Sequence, residues 1–98
     1  RKAVEEAREK LKSDEKRQKE ETKKRKVHNA ALGKTIEDLN KKKDALRLES
    51  YAKTRALSLP RFYEDEERAK EYGRRLKEIE KLIAEMDSRI KNLESQML

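Results

Sequence analysis

Cysteine is absent from this 98-residue chain, and proline, glycine and aromatic residues are scarce. Without cysteine there is no disulfide framework, no thiolate chemistry and no zinc-finger site. A single proline and two glycines leave few places where a helix is obliged to stop. No apolar run approaches the roughly 18–20 residues that a membrane span requires, so we expect no membrane partner.

Charge is what the chain has in abundance, since half of its residues are charged and only a third are hydrophobic. These apolar residues are too few to fill the interior of a globular domain, but they are regularly spaced. Such a composition is typical of long helices that bury one narrow seam. The chain begins at Arg1 rather than at a methionine, and its apolar repeat runs on to its last residues. We therefore expect a piece of a longer protein.

The clearest pattern lies in residues 62–98, where apolar residues recur at alternating steps of three and four. This is the heptad spacing of a coiled-coil seam. We interpret residues 62–98 as a coiled-coil oligomerisation helix. Its seam consists of Ala69, Tyr72, Leu76, Ile79, Ile83, Met86, Ile90, Leu93 and Met97.

The charged residues beside this seam favour a parallel homodimer. In a parallel pair, the g position of one helix faces the following e position of its partner. That arrangement sets Arg75 opposite Glu80 and Arg89 opposite Glu94, as interhelical ion pairs. An antiparallel self-pair would bring arginines together instead. The same pattern also suits a different coiled-coil protein as the partner.

Residues 35–57 repeat the heptad spacing less perfectly, with polar residues at three seam positions. The positions are Leu32, Ile36, Leu39, Lys43, Leu46, Ser50, Lys53 and Leu57. We expect a helix that begins after a break near Gly33, because glycine commonly ends helices.

A turn or kink is predicted over residues 58–61, where Ser58, Leu59 and Pro60 interrupt the helical pattern. A helical hairpin is preferred to a kinked rod, because the apolar residues around the turn would cap it. These are Leu57, Leu59, Phe62 and Tyr63. The predicted fold class is therefore all-α, with long charged helices forming a coiled coil: a helical hairpin plus an extended C-terminal dimerisation helix.

Residues 1–34 form a basic, charged helix or arm with 13 Lys or Arg against seven Asp or Glu. A basic cluster within it, Lys23, Lys24, Arg25 and Lys26, resembles the short signal read by nuclear import receptors, and it could equally grip a polyanion. We expect an intracellular location, nuclear or cytoplasmic, with the nucleus favoured.

Ser58 is a possible phosphosite, because Arg55 and Pro60 surround it as in the sequences that phosphoserine-reading adaptors bind. The alternative is an ordinary turn serine that caps a helix. His28 is the only histidine and has no plausible second ligand, so we expect no metal and no cofactor. A thin rod offers no water-shielded cleft, so we expect no catalytic residue and no enzyme activity.

Two functions follow from these patterns. The leading hypothesis is a structural segment of a larger scaffold protein that mediates oligomerisation or complex assembly through its coiled coil. The alternative is a nucleic-acid or chromatin-binding module that uses the basic N-terminal helix.

Overall fold

The computed structural model describes residues 1–98 and consists of two long helices and a short connection. Helix α1 covers Lys2–Leu57, a 3-10 helix covers Pro60–Glu64, and helix α2 covers Glu66–Ser95; there is no strand. The molecule is a rod of 93 × 15 × 13 Å. The expectation of an all-helical, elongated chain is confirmed.

Helix α1 runs through Gly33 without interruption, so the break expected there is absent. Glycine in a helix interior costs only about 0.5–1 kcal/mol relative to alanine, which flanking interactions can offset. Leu32 and Ile36 on either side of it are half-buried. The Thr35 hydroxyl donates to the Ala31 carbonyl of the preceding turn at 3.2 Å, within the continuous helix.

The connection between the helices is longer than the turn predicted over 58–61. Ser58 ends α1, and its hydroxyl donates to the Arg55 carbonyl at 2.6 Å. Pro60 begins the 3-10 helix rather than α2. Helix α2 begins only at Glu66, because Asp65 serves as its N-cap and accepts the Arg68 amide at 3.1 Å.

Helix α2 folds back along the second half of α1 and runs antiparallel to it. Near the connection Arg75 contacts Glu49, and at the far end Asn29 contacts Leu98. Residues 1–27 extend beyond this hairpin, all but Arg1 within helix α1, and every one of them is exposed. We call residues 1–27 the arm. At 1.5 Å per residue, it is about 40 Å long.

Neither helix has the length of apolar sequence that would let it cross a membrane.

Candidate functional site

The interface between α1 and α2 is a single apolar row from each helix. Its best-covered members are Leu39 from α1 and Ile79 and Ile90 from α2, which are 5%, 1% and 8% exposed. Most of the other predicted α2 seam positions are half-buried: Ala69, Tyr72, Leu76, Ile83, Met86 and Leu93. Met97, the last one, is exposed. The predicted seam therefore lies on the face of α2 that packs against α1.

Two of the three polar seam positions of α1, Lys43 and Lys53, form ion pairs. The Lys43 side chain is only 12% exposed, and its ammonium reaches the carboxylate of Asp87 on α2. Lysine can do this because its long aliphatic stem packs in the seam while its charged end reaches the rim.

A second charged cluster lies nearer the connection. Arg75 on α2 donates to both oxygens of the Glu49 carboxylate on α1, at 2.7 and 2.9 Å. Arg75 also donates to Glu78 at 2.9 Å, and Lys53 lies 3.2 Å from Glu49. These donors, Arg75 first and Lys53 second, lower the pKa of Glu49 from 4.5 to about 2. The same contact with Glu49 raises the pKa of Arg75.

The sequence analysis did not predict an ion pair between Glu49 and Arg75. The heptad pattern contains the signal, because both residues occupy g positions and g positions face one another in an antiparallel pair. Arg75 thus has an intrachain partner that the parallel arrangement does not include. Of the other residues in the predicted interchain pairs, Glu80, Arg89 and Glu94 form no ion pair within the chain.

Aromatic rings close the end of the interface at the connection. The Phe62 and Tyr72 rings lie 4.7 Å apart, and the Lys53 ammonium lies 4.9 Å from the centre of the Tyr72 ring. Phe62 and Leu57, both expected in the apolar cap of this turn, are half-buried. Leu59 and Tyr63, also expected in the cap, are exposed instead.

At the opposite end, polar side chains of α1 bind the backbone that follows α2. The Asn29 side chain donates to the Leu98 carbonyl and accepts from the Leu98 amide, both at 2.9 Å. The His28 ring lies within hydrogen-bond distance of the Gln96 carbonyl, at 3.0 Å. Nothing in the sequence pattern indicated this role for His28 and Asn29.

The predicted basic cluster lies on the arm, within the continuous helix α1. All four of its residues, Lys23, Lys24, Arg25 and Lys26, are exposed. Because successive helical residues point about 100° apart, the four do not form one patch. Lys23 and Lys26 share a face, and Lys24 and Arg25 point elsewhere. An import receptor, which reads extended peptide, would require this part of the helix to unwind.

Ser58 lies at the end of α1, where its hydroxyl is bonded to the Arg55 carbonyl. It therefore caps the end of α1 rather than the start of the next helix. Its side chain is exposed, and Pro60 follows on the outside of the connection.

Groups able to bind a metal do not come together: no three His, Cys, Asp or Glu side chains are grouped as metal ligands would be. Comparison with protein-family models, with curated proteins and with solved structures found no match to this chain.

Proposed function

We propose that this chain is a non-catalytic structural segment that joins protein chains, as part of a larger scaffold. The observation that supports this proposal is the incomplete cover of its seam. Only three residues of the chain are buried, although the apolar rows of both helices run the length of the hairpin. A hairpin of about 70 residues with so small a core is marginally stable by itself, and natural proteins of this size commonly gain stability by oligomerisation.

The proposed partner is a second copy of this chain, and the proposed assembly is a bundle of two closed hairpins. Leu76, Ile83, Met86 and Leu93 retain exposed area in the single hairpin and would be covered in the bundle. Leu82 lies beside Ile83, is also half-buried, and widens the apolar surface. The packing proposed between the helices is that of a coiled coil, with the side chains of one helix inserted between those of the next.

Closed hairpins are favoured over an opened parallel dimer because Arg75 and Lys43 already have carboxylate partners within the hairpin. Opening it would break the Glu49–Arg75 and Lys43–Asp87 contacts. It would also expose the apolar row of α1, which includes the buried Leu39. The parallel dimer would gain the Arg75–Glu80 and Arg89–Glu94 pairs in return, and exposed ion pairs contribute only about 0.2–1 kcal/mol each.

The mass of the protein in solution tests the proposal. Light scattering over a range of concentrations should give twice the chain mass of 11.7 kDa. Ile83→Asp should give a monomer, because a carboxylate in the seam would be buried without a partner. Lys24→Ala, on the arm, should leave the dimer intact. An Ile83→Asp protein that assembled like the wild type would show that the seam is not the interface between chains.

A distance measurement separates the closed from the opened dimer. The chain lacks cysteine, so Lys41→Cys and Ser88→Cys can carry spin labels on the outer faces of α1 and α2. In the closed hairpin these labels are about two helix diameters apart, roughly 20–25 Å. In an opened rod, the 47 intervening steps place them about 70 Å apart. Dilution with unlabelled chain restricts the measurement to labels on one chain.

A further inference from the structure

A row of five lysines runs along one face of the arm. Their sequence spacing alternates four, three, four, three, which keeps them on one side of a helix. The helix is continuous through all of them, and every one is exposed. From first to last, the row is about 21 Å long at 1.5 Å per residue. We call it the lysine row: Lys12, Lys16, Lys19, Lys23 and Lys26.

None of the five lysines forms an ion pair within the chain. Glu15 and Glu20 flank the row, and Glu15 lines a shallow surface depression together with Lys19, Lys23 and Lys26. Neighbours within the row are three or four residues apart, so their like charges repel one another along the helix. Helix α2 ends at Ser95, and the residues that follow it contact His28 and Asn29, which lie beyond the end of the row.

We infer that the lysine row binds the phosphodiester backbone of nucleic acid. A bound polyanion would remove the repulsion between the lysines, and it would release the counterions that surround a nucleic acid. The site lies on one helix of one chain, so it goes beyond the proposed assembly and does not depend on it.

The residues around the row favour phosphates over an acidic protein helix. Between Lys12 and Lys26 there is no apolar side chain, so a partner helix would find no surface to bury. Exposed ion pairs alone contribute little to such an association, whereas phosphate binding draws its affinity from charge. There is also no aromatic residue in the arm on which a base could stack. The ligand is therefore a duplex, bound without regard to sequence.

Fluorescence anisotropy with a labelled DNA duplex of mixed sequence tests this inference, using the full chain. Five phosphate contacts predict a slope of about −4.5 for log K against log salt concentration. Triple replacement by Lys16→Gln, Lys19→Gln and Lys23→Gln should reduce the slope to about −1.8. Because the replacements also relieve repulsion between lysines, helicity measured by circular dichroism should not fall.

A matched variant removes the same net charge from another face of the arm. Lys10→Gln, Arg17→Gln and Lys24→Gln share a face that lies more than 90° around the helix from the row. This variant should keep a slope close to that of the wild type. Equal losses in the two triple variants would overturn the inference, because binding would then follow net charge rather than the row.

Poly-L-glutamate provides the comparison between classes of polyanion. If the row is specific for phosphates, the polypeptide should displace the duplex only at a much higher concentration of charge. Displacement at equal charge would show an acidic-polypeptide surface and would overturn the assignment to nucleic acid. Failure of the duplex to bind at low salt would overturn it as well.

Discussion

Arg75 of α2 donates two parallel hydrogen bonds to the carboxylate of Glu49 on α1. They measure 2.7 Å from Nε to Oε2 and 2.9 Å from Nη2 to Oε1. Each side chain is about one-third exposed. Two bonds between planar groups restrict orientation more than a single contact does. The pair therefore restricts the register of the two antiparallel helices. The half-buried apolar contacts alone would restrict that register less.

The first prediction concerns acid. Because the folded-state pKa of Glu49 is about 2 against an ordinary 4.5, the folded hairpin favours the carboxylate. The resulting stability is present above pH 4.5 and is lost as the pH falls towards 2. Glu49→Gln should lower the thermal midpoint at pH 7, and its difference from the wild type should shrink between pH 4.5 and 2. Circular dichroism melts across this range provide the measurement.

Glu71→Gln is the control for this pH experiment, because Glu71 is exposed and forms no ion pair. It should melt like the wild type at pH 7. A Glu49→Gln deficit that stayed constant from pH 7 to pH 2 would mean that the ionised pair does not contribute to the stability of the hairpin.

The sequence was sufficient to predict an all-helical chain of long helices, because a heptad repeat directly encodes a helical face. It also placed the break between the helices near Pro60. It did not predict that α1 continues through Gly33. The free-energy cost of one glycine in a helix is small, and packing of the neighbouring residues can offset it. The N-cap role of Asp65 moved the start of α2 beyond the predicted turn.

The polar part of the interface was harder to predict. Lys43 and Lys53 interrupt the α1 seam in the sequence. The groups of α2 that they contact, Asp87 and the Tyr72 ring, depend on the direction of α2. Within the chain, the antiparallel return of α2 pairs Arg75 with Glu49. The pairing of Arg75 with Glu80 of a parallel partner stays a prediction. A heptad pattern specifies faces, but orientation depends on which chain supplies the second helix.

The second prediction concerns Lys43, the most buried charged side chain of the interface. Lys43→Leu should raise the free energy of unfolding by about 1–3 kcal/mol. Burial of an apolar side chain in the seam is favourable, whereas burial of a charged one carries a desolvation penalty. Asp87, half of whose side chain is exposed, remains solvated when its partner is lost. Urea denaturation followed by circular dichroism measures the change.

Lys41→Leu is the matched substitution at a position 71% exposed. It should leave the stability within about 0.5 kcal/mol of the wild type, as is usual for surface changes. If Lys43→Leu were no more stable than Lys41→Leu, the Lys43 side chain would not lie in the seam.

The third prediction uses the two glycines, which lie inside helices with ordinary helical backbone. A Cβ added at Gly33 or Gly73 would meet nothing within 4 Å. Each glycine-to-alanine change should therefore stabilise the protein by about 0.5–1 kcal/mol, and the two effects should add. Thermal melts and light scattering should be run together on both variants. Destabilisation with loss of the dimer would show that the glycine-bearing edge of the hairpin contacts a second chain.

The fourth prediction concerns the arm, which lacks the packing that stabilises the rest of α1. Most of the stability of a helix within a protein comes from packing of an apolar face, and every residue of the arm is exposed. Amides of residues 5–27 should therefore exchange with deuterium well before those of residues 36–57 and 69–93. Saturating DNA duplex should slow exchange in the arm if the lysine row is occupied, and should leave the hairpin unchanged. Equal protection of the arm and the hairpin without DNA would mean that the arm is packed against another helix in solution.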